Sequence, residues 1–363
     1  MEDKNTIKCV NCGAELKFAP GTVNLKCEFC DAENIIEVDE QARQEAFEEL
    51  DYHSYLQNAV AEQEMLEVST VQCSNCGAKT TFDPNLVSDH CEFCGSPLVS
   101  EEAEKLSLIK PKGVLPFVIS EKEGTELYKK WLRKLWFAPN KLKKYARQTE
   151  PLDGIYVPYW TYDSNTYTKY SGQRGDDYTE TETYSDNGET KTRTVTKTRW
   201  TFVSGSVSRF FDDVMVPAAD SLPRKYVDRL EPWDLSALQG YDTSYFRGFK
   251  AETYQVDLES GFKIAEKKME QVIRQDIRRD IGGDKQRISS LATKHSDITF
   301  KHVMLPIWIS AYCYKEKSYR FLVNGQTGKV QGERPWSWIK ITLAVLAALV
   351  VIVGIYWFVE YYQ

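Results

Sequence analysis

The chain has 363 residues, 42% of them hydrophobic, with a formal net charge of −7 and a sequence pI near 5.4. That length exceeds one typical domain, so at least one sizeable core is expected, and the acidic balance argues against a general nucleic-acid binder. Nine cysteines, with no basic-then-apolar leader at the N-terminus, point to thiols kept reduced in a reducing compartment.

In chain order, residues 1–37 carry Cys9-x-x-Cys12 and Cys27-x-x-Cys30, separated by 14 residues. Residues 69–104 repeat the cassette as Cys73/Cys76 and Cys91/Cys94 with the same spacer, each cysteine 64 positions after its counterpart. Each pair can set two thiolates on one tight turn, and each spacer can form the hairpin that closes four sulfurs around a tetrahedral ion. Two structural zinc ribbons are therefore expected, with Zn2+ as cofactor and all eight cysteines as ligands. Four thiolates fill the tetrahedron, so no metal-bound water is expected. Glycine follows the pair at Gly13, Gly77 and Gly95, where positive φ turns the backbone amides towards sulfur, and Asp31 stands in the remaining knuckle. Phe18 with Phe82, Pro20 with Pro84, Val23 with Val87 and Phe29 with Phe93 are the expected ribbon cores. His90 is expected at the surface, not as a ligand.

Between the ribbons, residues 38–68 are acidic and lack Gly and Pro, with Ala42, Ala46, Phe47, Leu50, Leu56, Val60 and Leu66 near helical spacing. One long amphipathic helix capped by Asp39 is predicted. Residues 105–335 read as an α+β domain with antiparallel sheet and a diverged internal duplication. Val114 to Ser120 is strand-like and leads into a helix burying Trp131, Leu132, Leu135 and Trp136. Glu252 to Leu258 leads in the same way into Phe262, Ala265, Met269, Ile273 and Ile277. An aromatic hairpin follows each, starting at Val157-Pro158-Tyr159-Trp160 and at Leu305-Pro306-Ile307-Trp308. Cys313 lies in the second and is expected to pack in the core.

An insert at about residues 172–200 has a readable register. Asn187-Gly188 favours a two-residue hairpin turn, which pairs positions whose numbers sum to 375. Glu182 then meets Arg193, Asp176 meets Arg199, and Tyr184 and Tyr178 meet Lys191 and Lys197, while Thr179, Thr181 and Thr183 meet threonines on the other face. Both faces are polar, so this hairpin is expected to project into solvent.

Residues 338–360 include an uncharged run from Ile341 to Val359, long enough for one transmembrane helix. Trp336 and Trp338 mark one interface, and Tyr356, Trp357, Tyr361 and Tyr362 the other. Lys329, Arg334 and Lys340 precede the helix and Glu360 follows it, which predicts a single-pass cell-membrane protein with its N-terminal bulk in the cytoplasm. No phosphate-binding loop, dinucleotide fingerprint, zincin motif or nucleophile elbow is present, and His53, His90, His295 and His302 are scattered; no catalytic residue is assigned and no enzyme is expected.

The paired ribbons, the VPYW stretch, the segment from Leu305 to Ser337 and the C-terminal apolar helix together resemble a family of bacterial zinc-ribbon membrane proteins, the YdjG-like type. Members are often labelled primosomal protein N′ or transcription-factor-IIB-type zinc ribbon proteins. The resemblance implies eight zinc-ligating cysteines, no established catalytic residues, and partners of the SPFH and phage-shock classes. The helicase label is not followed, since an ATP-driven motor needs the phosphate loop this chain lacks. The resulting expectation is a membrane-anchored cytoplasmic adaptor for protein partners in membrane stress, with a nucleic-acid-binding ribbon protein as the alternative. Ribbon one is locally basic (Lys4, Lys8, Lys17, Lys26), but ribbon two carries Asp83, Asp89 and Glu92, so no continuous cationic track forms.

Overall fold

The computed structural model describes residues 8–36, 39–57, 65–81, 88–91, 93–94, 96–99, 104–139, 152–186, 189–314 and 317–362. The architecture is α+β with largely antiparallel sheets. In the first ribbon, β1 (Leu16–Phe18), β2 (Asn24–Cys27) and β3 (Glu33–Ile35) form one three-stranded sheet. Leu16, Phe18 and Leu25 are buried, and Phe18 packs edge-on against Tyr245 of the body with ring centroids 5.3 Å apart. The ribbon's small apolar surface is thus completed by the body, as its size requires. Phe93 is buried as expected, whereas Phe29 is 81% exposed and Val23 is 52% exposed. The two ribbons join different core clusters, so the equivalent positions Phe29 and Phe93 do not share burial. Phe82, Pro84, Val87 and Gly95 lie outside the described residues.

The single linker helix is replaced by shorter pieces: α1 (Glu40–Phe47), β4 (Leu50–Asp51) and α2 (Tyr52–Gln57). Asp39 does cap α1, accepting from the amides of Gln41 and Ala42. Helical spacing was a local signal that tertiary pairing overrode. Leu50 and Asp51 join the body sheet opposite Phe300 and Thr299. Leu66 and Val68 belong to a strand, β5 (Met65–Gln72). That strand pairs with β6 (Lys79–Thr81) on one side. In the second ribbon β7 (Ser88–His90) pairs with β8 (Pro97–Val99), and β9 (Glu104–Ile109) returns to the other side of β5.

The body follows as β10 (Gly113–Val114), α3 (Glu121–Lys134), β11 (Asp153–Asp186) and β12 (Glu189–Pro217). The second half runs through β13 (Gln239–Gly240), β14 (Lys250–Ala251), α4 (Leu258–Ile281), β15 (Lys285–Tyr314), β16 (Lys317–Asn324) and β17 (Val330–Gly332). The chain ends in α5 (Trp338–Tyr362). The predicted strands Val114 to Ser120 and Glu252 to Leu258 are mostly extended chain: only Val114 of the first lies in β10, and β14 ends just before the second, whose last residue, Leu258, already opens α4. Trp136 lies beyond the end of α3 and is 77% exposed, so it is not part of the helix's buried side. The side chain of Cys313 lies outside the described residues.

The duplication has a spatial meaning. β11 and β15 pair antiparallel, with Val157 opposite Leu305. These residues are also equivalent in the two halves, 148 positions apart like Pro158 and Pro306, so a pseudo-two-fold axis passes between them. The halves exchange their first strands: β10 runs parallel to β15, and β14 runs parallel to β11. The tryptophans exchange as well. Trp160 Nε1 donates to the Val256 carbonyl and Trp308 Nε1 to the Ile119 carbonyl, each at 2.8 Å. Both acceptors immediately precede a helix N-cap, Asp257 for α4 and Ser120 for α3. Each half therefore positions the other's helix.

The predicted hairpin register holds from Asp186 opposite Glu189 inward to Ser164 opposite Phe211. The boundary expected near residue 172 differs, because β15 also pairs with β11 as far out as Gly175 opposite Lys285. Only the outer part, beyond Gly175, is a two-stranded arm. Its faces are polar, with Lys197 2.9 Å from Glu180 and 2.8 Å from Glu182, and Arg193 3.2 Å from Glu182. The turn residues Asn187 and Gly188 lie outside the described residues.

Candidate metal centres

The two cysteine cassettes each fold their four sulfurs into one group. Cys9, Cys12, Cys27 and Cys30 lie with all Sγ atoms within 4.8 Å of one another, and so do Cys73, Cys76, Cys91 and Cys94. Across the first group Cys9 and Cys30, and Cys12 and Cys27, are 3.5 Å apart; the matching pairs in the second are 3.6 Å apart. Metal–sulfur bonds of about 2.3 Å in a tetrahedron place sulfurs about 3.8 Å apart, so both groups fit one tetrahedral ion with small relaxation.

Knuckle backbone explains why these sulfurs converge. Gly13 and Gly77 take φ of 74° and 78°, and their amides donate to the carbonyls of Cys9 and Cys73 at 2.8 Å. Asp31 fills the same role with φ of 55°, a left-handed conformation that aspartate tolerates better than most residues, and its amide donates to the Cys27 carbonyl. The amide of Asn11 points at Cys9 Sγ, 3.4 Å away.

Four sulfurs this close cannot all ionise without a cation. The amides of Asn11 and Cys12 lower Cys9 to about 7. Burial pushes Cys76 up to about 11 and Cys91 higher still. At Cys94 burial acts upward, but the hydroxyl and amide of Ser96 bring the thiol down to about 6. A divalent ion removes this conflict by taking charge from all four thiolates, which is what the donor set and spacing are suited to. His90 is no ligand: its side chain is exposed beside Asp89 and Asp153.

One group of carboxylates escaped sequence reasoning. Glu49, Asp163 and Asp213 converge where a β-bulge interrupts β11 and β12 after Tyr162. Buried Lys301 stands between them, its Nζ 3.2 Å from Glu49 and 2.9 Å from Asp213. The ammonium occupies the place a cation would take, so this is an internal ion cluster. Asp213 has φ of 49° and donates its amide to Asp163 Oδ1 at 2.7 Å. Burial and the adjacent Glu49 raise Asp163 to about 7. The consecutive Asp212 and Asp213 inside a strand were the available signal.

Besides His90, two of the scattered histidines acquire partners, His295 and His302. Ser164 Oγ lies 3.2 Å from His295 Nδ1, and His295 Nε2 lies 3.8 Å from Glu266. The order resembles a hydrolase triad, but Ser164 is fully buried and its hydroxyl is closed off from any substrate. His302 is buried on the body sheet.

The C-terminal α5 contains one helix long and apolar enough to cross a membrane, Trp338–Tyr361, with a mean hydropathy of 2.6. Its start is tied to the body: Lys340 Nζ donates to the carbonyls of Trp136 and Ala138, and the Ser337 amide to that of Phe137.

No family model and no solved structure matches the chain. It is similar to the uncharacterised protein YdjG of Bacillus subtilis strain 168, with 28% identity over 239 residues, covering 65% of this chain and 67% of the relative. That similarity supports a YdjG-like family.

Proposed function

We propose that this chain is a membrane-anchored cytoplasmic adaptor, in which two structural Zn2+ ions hold the ribbons against the body and the β arm presents a protein-binding surface. The observation that carries this reading is the arm. Ordering eleven residues per strand has an entropic cost that apolar burial does not offset here, since both faces are polar and solvated. An extension of about 36 Å, at roughly 3.3 Å per residue, is suited to reaching a partner. Zinc is favoured over harder ions by an all-thiolate donor set of tetrahedral spacing. By family resemblance the partners are SPFH-type or phage-shock components, and cations before α5 support placing the bulk in the cytoplasm.

Nucleic acid is the weaker alternative. In ribbon one, Lys17 is paired with Glu28 and Lys26 with Asp31, both at 2.9 Å, so these cations are already partly neutralised. The test is affinity capture from solubilised native membranes, comparing the full chain with one lacking Tyr178–Lys197 and closed by a two-residue turn. Loss of the captured SPFH or phage-shock proteins, with metal content retained, is expected. Capture unaffected by the deletion would remove the arm from the reading, and steeply salt-dependent binding of DNA or RNA by the full chain would favour the alternative.

A further inference from the structure

A cavity of about 160 Å³ lies on the helix-bearing face of the body sheet, roofed by Leu66, Val68 and Leu108 from β5 and β9. Its floor includes Pro158 and Met304, which are register partners one step from the pseudo-two-fold axis. The duplication shows how its wall differs from the equivalent place in the other half. There, Phe117, Phe249 and Trp308 pack as a trio of rings, Phe117 and Phe249 stacked at 4.4 Å and Phe117 and Trp308 at 4.8 Å. Phe249 occupies the space above Gly154, where an added Cβ would come within 2.3 Å of its ring.

On the cavity side the trio is Tyr254, Trp160 and His302, with Trp160 and His302 at 4.6 Å; Tyr254 and His302 line the cavity, Trp160 backs them, and Phe249 reaches its far wall. His302 stands at the position equivalent to Gly154, so an imidazole takes the place that Phe249 fills in the other half. It is 4% exposed, and its Nδ1 lies 3.0 Å from the Ile109 carbonyl oxygen. A carbonyl only accepts, so Nδ1 carries the proton and Nε2 holds a lone pair. Nε2 is buried and has no hydrogen-bond partner. Burial lowers His302 to about 4, so the ring is neutral at physiological pH. A buried acceptor left unmatched in a largely apolar cavity is costly unless something donates to it.

We propose that this cavity binds a small neutral aromatic molecule bearing one hydroxyl donor, the phenol class, with its ring between the roof and Pro158 and its hydroxyl donating to His302 Nε2. Size fits a single ring, since an apolar cavity of about 150 Å³ takes up benzene. Charge fits as well: no Lys or Arg is among the described lining residues, and the buried Glu252 carboxylate there disfavours an anion.

The experiment titrates the full chain in nanodiscs with phenol, benzene and benzoate by calorimetry, and follows the histidines by selective 15N labelling. Phenol is expected to bind saturably at one site and to shift the Nε2 resonance of the histidine that stays neutral down to about pH 5. Benzene should bind about three- to tenfold more weakly, the worth of one hydrogen bond, and benzoate should not bind. In His302→Leu the phenol preference over benzene should vanish, and Leu66→Trp, which fills the cavity from its roof, should abolish both. Should His302→Leu fail to fold, the resonance shift and Leu66→Trp still decide. Absence of saturable phenol binding, phenol binding without that shift, or binding unaffected by Leu66→Trp overturns the proposal.

Discussion

At the residue scale, the clearest dependence on single side chains is at the thiolates and in the ion cluster. Cys27→Ser removes one of four ligands from a closed site, and structural zinc contributes on the order of 10–16 kcal/mol to coupled folding. Metal content should fall from two ions per chain to one, measured on purified protein under reducing conditions, while the second ribbon stays loaded. Asp163 makes an opposite kind of prediction. Its folded pKa is raised to about 7 from an ordinary value near 3.8. An acid raised in the folded state holds its proton there longer than in the unfolded chain. Its contribution is therefore fully present below pH 4 and is lost as pH rises towards 7. Asp163→Asn keeps the oxygen that accepts from the Asp213 amide and removes the titration. Denaturant unfolding should show the variant gaining on the native chain by about 1 kcal/mol or more between pH 5 and pH 7.5. A constant difference across that range would contradict the assignment.

At the element scale, the exchange of helices between halves rests on two glycines. Gly124 and Gly261 occupy the same place in α3 and α4, each under the tryptophan of the other half. An added Cβ at Gly261 would meet the Tyr162 hydroxyl at 2.3 Å and Trp160 at 2.9 Å, whereas at Gly124 it would meet the end of Leu152 at 2.9 Å and Trp308 at 3.5 Å. Tyr162 is fixed by its hydrogen bond to the Leu258 carbonyl and cannot move aside cheaply. Alanine gains about 1 kcal/mol of helix propensity over glycine at either site. Overpacking of about 1–3 kcal/mol outweighs that gain at Gly261 and roughly balances it at Gly124. Thermal unfolding of the two variants should rank Gly124→Ala near the native chain and Gly261→Ala clearly below it.

At the scale of the whole molecule, α5 stands apart from the packed body. Its apolar window is unburied along its whole length, and among the described residues its hydrogen bonds to the body are those from Ser337 and Lys340 to the chain after α3. Removing residues after Pro335 should give a monodisperse protein in detergent-free buffer, with two metals still bound and an unfolding midpoint within a few degrees of the full chain. Aggregation or loss of metal would mean that the helix supports the body. In intact cells, a reactive cysteine placed in the first ribbon should resist a membrane-impermeant label if the proposed cytoplasmic orientation holds.

The parts of this protein legible in its sequence were those set by local chemistry. Cys-x-x-Cys spacing brings sulfurs together through a few knuckle bonds, an Asn-Gly turn sets a hairpin's register by counting, and an uncharged apolar run needs no partner to declare its length. The helices of the two halves, α3 and α4, were legible for the same reason, because each carries its own apolar period, whereas the strands expected before them were not. What only tertiary structure decided involves residues far apart in the chain. Residues 38–68 had helical spacing, yet β4 and β5 were drawn out as strands because sheet edges offered Leu50, Leu66 and Val68 partners that an isolated helix lacks. Glu49, Asp163, Asp213 and Lys301 form a cluster only because four segments far apart in the chain meet at the bulge after Tyr162. The pseudo-two-fold exchange could not be read from repeats alone, since a duplication tells that two units are alike but not that each holds the other's helix. His302 is the sharpest instance: one imidazole among many aromatics in sequence, it becomes distinctive only when folding sets it where its counterpart is glycine and buries its free nitrogen.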